Sequence, residues 1–343
     1  MELKDAIRAV HARRDLTLDE MRSVMSTIMS GEADAIQMGG FLMGLAMKGE
    51  TADEITAAVQ VMRELMHPVH VNIEPVVDIV GTGGDGMGLF NVSSAASFAA
   101  AACGAHVAKH GGRGVSSSSG SADLLARAGV SLDLDPSQIA RCIEEVGVGF
   151  MFAPNHHTAM RHAVAVRRAL GVRTMFNILG PLTNPTGATR QVLGVYDRSL
   201  VPLLAESLRR LGSRHVLVVH SADGLDEISL AAPTHVAELK GGHIEEYVIT
   251  PEALGIERQP LSTLRAEDTE QSLALVQSAL AGRGPEADMV ALNAGAALYT
   301  ADLVDSIAEG VARVRAALDR GEALERLHSL ARFSASLLSG ERH

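Results

Sequence analysis

The stretch from Val76 to Asp123, VVDIVGTGGDGMGLFNVSSAASFAAAACGAHVAKHGGRGVSSSSGSAD, constrains the fold more than any other part of the chain. A short apolar run, Val76–Val80, is broken at once by Gly81-Thr82-Gly83-Gly84-Asp85-Gly86, and a small-residue helix pattern opens near Asn91-Val92-Ser93-Ser94. Strand, glycine loop and helix start, in that order, form one unit of an α/β fold. Its loop suits an anion, because glycine lets successive N–H groups converge and a helix start adds unpaired donors and a positive dipole end. A second apolar run leads into Lys109-His110-Gly111-Gly112-Arg113-Gly114 and then Val115-Ser116-Ser117-Ser118-Ser119-Gly120-Ser121. Two fixed cations and a row of hydroxyls are thereby expected at the same end of the sheet, and such a pair of loops suits a ligand with more than one phosphate. The glycines lie between well-formed apolar segments instead of replacing them, which argues against a flexible linker.

Ahead of this unit, residues 1 to about 70 read as helices only. Thr17-x-x-Glu20 is a capping box before apolar Met21, Val24, Met25 and Ile28, and Thr51-x-x-Glu54 repeats the device before Ile55, Ala58, Val59 and Met62. Between them Ala35 to Met47 is apolar nearly all round, with Gly39, Gly40 and Gly44 spaced for a close helix approach. That surface must be covered by the next domain, by another subunit, or by both; a homodimer through this region is the simplest expectation.

From Val76 onward strands and helices alternate, which predicts a mainly parallel sheet with crossover helices. The expected strands are Val76–Val80, His106–Lys109, Gly149–Phe152, Gln191–Tyr196 and His215–His220, with helices over Ser93–Cys103, Pro136–Val146, Ala159–Leu170 and Leu200–Leu211. A hairpin is expected from Thr234–Leu239 and Ile244–Ile249 around Lys240-Gly241-Gly242. Ser272 to Leu338 reads as helical, with a possible strand at Met289–Leu292.

Composition narrows the class. At 343 residues and 47% apolar content, the chain supports a substantial core. A net charge of -11 argues against general nucleic-acid binding, so a phosphate ligand must be held by local donors or a metal. Cys103 and Cys142 are the only cysteines, both in apolar helical patterns, so buried thiols fit better than a disulfide framework or a zinc cluster. No apolar run reaches the roughly 20 residues a membrane span needs. No membrane role is expected, and the chain reads as cytoplasmic. Asp226 and Glu227 are adjacent carboxylates just past an apolar strand. Alone they read as a solvated acidic loop; beside two phosphate-type loops they suit Mg²⁺, a hard cation commonly shared with substrate phosphates.

Several segments together resemble anthranilate phosphoribosyltransferases. They are Asp78 to Gly86, Phe90-Asn91-Val92-Ser93, Lys109-His110-Gly111, Arg161 through Thr174, Phe176 to Pro185, Asp223 to Ser229, and Ala291 to Tyr299. They span essentially the whole chain in the family's order. The resemblance implies a small N-terminal helical domain over 1–70, joined by helices from about 158–185, and an α/β domain over 71–343 of the nucleoside phosphorylase and phosphoribosyltransferase type. It further implies a homodimer, and transfer of 5-phosphoribose from phosphoribosyl pyrophosphate to anthranilate in tryptophan synthesis.

Carried over by position, the donor would be bound by Gly81, Gly84, Asp85, Leu89, Asn91, Val92, Ser93, Ser94, the loop Lys109, His110, Gly111, Gly112, Arg113, Gly114, Val115, Ser116 and Ser117, and Ser121. Ser93, Asp226 and Glu227 would hold Mg²⁺, and Gly81, Gly112 and Arg167 would meet the acceptor. Lys109, Arg113, Asp226 and Glu227 would support the leaving pyrophosphate. The nearest candidate for a general base is His110. Four positions depart from the family pattern. Gly112 replaces an Asn that would reach the acceptor, Gly114 replaces Ser or Ala, and Ser118 replaces Lys; Leu89 stands where Thr is common. Other readings are a relative with a different aromatic amine acceptor, a pyrimidine nucleoside phosphorylase-like enzyme, and a non-catalytic binder of a phosphoribosyl ligand.

Overall fold

In the computed structural model, which describes residues 1–114 and 119–339, four helices come first: α1 (Leu3–His11), α2 (Leu18–Ser30), α3 (Ala35–Lys48) and α4 (Ala52–Leu65). Both capping boxes form. The Thr17 and Thr51 hydroxyls accept from the N–H groups of Glu20 and Glu54, whose carboxylates accept in return from the N–H groups of Thr17 and Thr51. The glycines of α3 do admit neighbours: Ile7 and Val10 of α1 lie against Gly40 and Gly44, and Val166 and Leu170 lie against Gly39.

The rest alternates as β1 (Val76–Gly81), α5 (Val92–Ala102), β2 (His106–Gly111), α6 (Ser121–Arg127), α7 (Pro136–Arg141), β3 (Val148–Phe152), α8 (Ala153–His156), α9 (Arg161–Leu170), α10 (Phe176–Leu179), β4 (Arg190–Gly194), α11 (Leu200–Arg210), β5 (His215–Ser221), β6 (Thr234–Lys240) and β7 (His243–Ile249). Helices α12 (Thr269–Leu280), α13 (Gly284–Thr300), α14 (Ile307–Asp319) and α15 (Glu322–Ser339) complete the chain. The seven strands form one sheet in the order β3-β2-β1-β4-β5-β6-β7. Strands β1 to β5 pair in parallel, and β6 and β7 pair antiparallel at one edge.

Strand alternation divides the core. Val77, Ile79, Val107, Val192, Leu217 and Val219 face α5 and the C-terminal helices, whereas Val80, Leu193, Val216 and Val218 join α11 and the N-terminal helices in a second cluster. The N-terminal helices therefore bury their apolar stripes against the sheet side of the molecule. Arg63 of α4 fastens this seam by donating through Nε and Nη2 to the Leu182 carbonyl, at 3.0 and 2.8 Å.

Two expectations are corrected. Met289–Leu292 lies inside α13, and all of its residues are buried there because the helix packs among α5, α12, α14 and the sheet. A short apolar run cannot by itself distinguish a strand from a helix buried all round. Cys103 lies just beyond α5, where its N–H closes the helix end, although it is buried as expected; Cys142 begins a π-helical turn that extends α7, and both thiols are free. Among the described residues no helix is long and apolar enough to cross a membrane.

Candidate active site

Strands β1 and β4 are neighbours, but the chain leaves β1 toward β2 on one side and reaches β5 on the other. A ligand crevice opens at the carboxyl ends of such a pair. Gly81 and Gly194 end the two strands as register partners. A Cβ on Gly81 would lie 2.4 Å from Asp226 Oδ2, and one on Gly194 would lie 1.5 Å from the Asp226 carbonyl oxygen. Neither position has room for a side chain, and that close packing seats the Asp226 backbone over the crevice.

Asp226 Oδ2 accepts from the Gly83 N–H at 2.7 Å, and Glu227 Oε1 accepts from the Ser93 N–H at 3.2 Å at the start of α5. The first loop and the first helix thus converge on the two carboxylates. Behind them the fully buried Asn293 of α13 accepts from the Ile228 N–H at 2.9 Å and donates to the Ile228 carbonyl at 3.0 Å. This two-way clasp fixes the residue following Glu227.

The electrostatics around the two carboxyl groups would favour a cation. Burial raises the Asp226 carboxyl to about 6, with Asp85 adding repulsion, and burial together with Asp226 raises Glu227 well above its ordinary range. Lys109 is buried beneath them. Burial lowers its pKa while Asp78, Glu227 and Asp226 oppose that shift, and its Nζ donates to the Ile79 carbonyl at 2.7 Å. Asp78, raised by burial to about 6, accepts from Asn184 Nδ2 at 2.8 Å, and the same nitrogen reaches the Ala108 carbonyl next to Lys109. One buried ammonium does not offset three carboxyl groups, and their raised pKa values follow from burial with too little positive charge beside them. The described residues contain no cluster of three or more His, Cys, Asp or Glu side chains suited to a metal. Two carboxylates suit an ion that keeps waters and takes its other ligands from phosphates, as Mg²⁺ does.

The remaining expected residues fall as follows. Asn91 donates to the Ser119 carbonyl at 3.1 Å and accepts from the Ser272 hydroxyl at 2.7 Å, tying the start of α5 to the second loop and to α12. Val92 and Ser94 are buried beside it, and Leu89 bridges Arg265. Asp85 accepts from the Met87 N–H at 3.1 Å. Asp123 closes the stem of the second loop: it pairs with Arg113 at 2.8 Å and accepts from the N–H groups of Gly114 and Gly120 at 2.9 and 3.1 Å. Arg113 also lies over Phe152, and the Ser121 hydroxyl donates to the Gly112 carbonyl at 3.4 Å. A Cβ on Gly111 would strike Ser121, whereas Gly112 has open space and a φ outside the left-handed region. Val115, Ser116, Ser117 and Ser118 lie outside the described residues. His110 is buried edge-on to His157 at 5.1 Å between ring centres, its Nε2 has no hydrogen-bond partner among the described residues, and burial holds its pKa well below the ordinary histidine range. Arg167 projects over Phe176 at 5.5 Å, with no carboxylate paired to it among the described residues.

Two family models match the chain: the glycosyl transferase family helical bundle domain over residues 4–66 and the glycosyl transferase family a/b domain over 73–324. The anthranilate phosphoribosyltransferase of Chromohalobacter salexigens is 62% identical over 98% of both chains. The chain belongs to the anthranilate phosphoribosyltransferase family. A crystal structure of the Thermus thermophilus member superposes with a TM-score of 0.91 at 45% identity, over 96% of this chain and 99% of that one. The Saccharomyces cerevisiae member, solved with PRPP and Mg, shares the fold at a TM-score of 0.88 and 24% identity, over 97% of this chain and 98% of that one.

Within this anthranilate phosphoribosyltransferase-family site, sequence reasoning missed the residues that hold the machinery. Asn293 and Asn184 lay inside quoted segments, but an isolated Asn carries no sign of the backbone groups it will clasp. Asp123, two residues past Ser121 at the start of α6, was legible as the third residue of a helix, where a carboxylate reaches back to the N-cap N–H. Arg173 lay inside the segment Arg161 through Thr174, but nothing in its surroundings marked the carbonyl it would reach.

Proposed function

We infer that this chain transfers 5-phosphoribose from phosphoribosyl pyrophosphate to anthranilate, giving N-(5-phosphoribosyl)anthranilate and pyrophosphate in tryptophan biosynthesis. The observation that carries this reading is the Asp226–Glu227 pair at the switch crevice, Asp226 buried and Glu227 half-buried, seated against both the glycine loop and the start of α5. Breaking the bond from ribose C1 to pyrophosphate leaves positive charge on the sugar and negative charge on the leaving group, and the aryl amine then attacks C1. Catalysis of that kind needs positioning and electrostatic support more than a nucleophilic side chain.

Mg²⁺, held by Ser93, Asp226 and Glu227, would neutralise the pyrophosphate as it departs. The chain's own part is to present Gly81, Gly84 and Asp85, the start of α5 and the loop from Lys109 to Ser117 with Ser121 to the donor. The half-buried Arg167 is suited to the anthranilate carboxylate, since a guanidinium without a carboxylate partner accepts one readily, with Gly81 and Gly112 lining the same pocket.

The same proposal takes residues 1–70, joined by 158–185, as one unit and 71–343 as the other. It makes the molecule a cytoplasmic homodimer. What supports a dimer is an apolar stripe on the outer face of α3, where Ile36 and Met47 are 85% and 70% exposed and Gly40 and Met43 lie between them. The deciding experiment measures pyrophosphate release from phosphoribosyl pyrophosphate and Mg²⁺ with anthranilate, beside other aromatic amines and beside phosphorolysis of pyrimidine nucleosides. Anthranilate should be the preferred acceptor; a better amine or nucleoside substrate would reject the assignment.

A further inference from the structure

The glycine loop after β1 is gripped from a side that the chemistry above does not use. Arg173 follows α9 by the turn Gly171-Val172, and its guanidinium carbon lies 4.1 Å from the centre of the Tyr196 ring, just past β4. Its Nη2 donates to the Gly84 carbonyl, and Gly84, at φ +77°, sits so close that a Cβ there would stand 3.4 Å from Arg173 Nε and Nη2. Tyr196 is itself tied to the loop, because its N–H donates to the Thr82 hydroxyl at 3.1 Å while the Thr82 N–H donates to the Gly194 carbonyl at 2.9 Å. Arg173 thus reaches from the end of the basic helix to the loop, over a ring that the loop helps to hold. Among the described residues no carboxylate pairs with Arg173.

In a trans peptide the carbonyl and the following N–H point in opposite directions. Fixing the Gly84 carbonyl on Arg173 therefore turns the Asp85 N–H away from the arginine, and among the described residues no acceptor takes that N–H. On the other side of the same loop, Asp226 takes the Gly83 N–H. Two peptides of the loop, Thr82–Gly83 and Gly84–Asp85, are set by two oppositely charged side chains. We propose that Arg173, braced on Tyr196, is a positioning residue that orients the Gly84–Asp85 peptide so that its N–H is offered to the pyrophosphate of the donor. The inference rests on the donor reading given under Proposed function. It accounts for a charged fork being placed on a neutral carbonyl when phosphate ligands are expected nearby: its work is to aim the loop.

The test combines steady-state kinetics with calorimetric binding of phosphoribosyl pyrophosphate and Mg²⁺ to the full chain. Arg173→Ala should raise the donor KM and weaken donor binding about tenfold or more, the loss expected for a charge-assisted hydrogen bond, while the anthranilate KM stays within about twofold. Arg173→Lys should recover only part of the loss, since lysine cannot stack as a planar fork. Tyr196→Phe should behave as the parent, Tyr196→Ala should resemble Arg173→Ala, and the double alanine variant should be no worse than Arg173→Ala alone. Unchanged donor binding in Arg173→Ala, a change confined to the anthranilate KM, or simple addition of the two alanine effects overturns the proposal. Thermal melting of each variant identifies any that fail to fold, and the Arg173→Lys and Tyr196→Phe pair then carries the comparison. If the parent chain binds no phosphoribosyl pyrophosphate, the donor reading falls and this inference with it; if the parent binds and Arg173→Ala binds equally well, only the inference falls.

Discussion

At the scale of single residues, the sharpest expectations concern Asp226, Glu227 and Gly112. Asp226→Asn or Glu227→Gln should slow pyrophosphate release roughly a hundredfold, about 3 kcal/mol of transition-state support, most visibly at limiting Mg²⁺. Near-parental turnover there would remove the carboxylates from the mechanism. Gly112→Asn restores the amide common in the family. Because Gly112 has open space and an ordinary φ, the side chain should be accommodated, contribute about 0.5–1.5 kcal/mol, and lower the anthranilate KM several-fold. A folded Gly112→Asn variant with an unchanged or higher anthranilate KM would mean that the acceptor pocket is built differently. Sequence alone brought Asp226, Glu227 and the glycines forward as candidates, because they stand in motifs that resemble the family's. It could not show that Lys109 turns inward to the Ile79 carbonyl, since burial of a lysine depends on which carboxylates the strands bring beneath it.

At the scale of elements, the strands, the capping boxes and the hairpin followed from local pattern, each being fixed by short-range chemistry. What pattern did not reveal is how the elements brace one another. Asn293 of α13 clasps both main-chain groups of Ile228 from a helix that apolar content alone could read as a strand at Met289–Leu292. Removing that clasp with Asn293→Ala strands two buried backbone groups, at a cost of about 1–3 kcal/mol each. The variant should melt earlier and require more Mg²⁺ for half-maximal rate. A lower melting temperature with an unchanged Mg²⁺ requirement would reduce Asn293 to a core residue. Gly194→Ala tests the same loop from below: with 1.5 Å between the added carbon and the Asp226 carbonyl, the loop must shift and activity should fall far more than a methyl group suggests.

For the whole molecule, three buried imidazoles contribute to the loss of stability in acid. Burial lowers His110, His156 and His157, the last to about 4 from an ordinary 6.5. A depressed histidine is neutral when folded and takes up its proton more readily when unfolded, so its stabilisation is complete above about pH 6.5 and declines as pH falls toward 4. By pH 5 His157 alone should have lost about 2 kcal/mol. The raised carboxyls of Asp78, Asp226 and Glu227 act in the opposite sense, so the measurement is a comparison of melting curves between pH 7 and 5 for the parent and for His157→Gln. Equal slopes would reject the assignment. Self-association is tested by Met47→Lys on the exposed stripe of α3, which should sediment as a monomer if that face pairs. The common core of the N-terminal helices with one sheet face, and the grip of Arg63 on Leu182, have a further consequence for anyone who would divide the polypeptide. Severed near residue 70, neither fragment could keep its greasy side dry. Each should precipitate when expressed alone, and only co-expression of the two pieces should give soluble material.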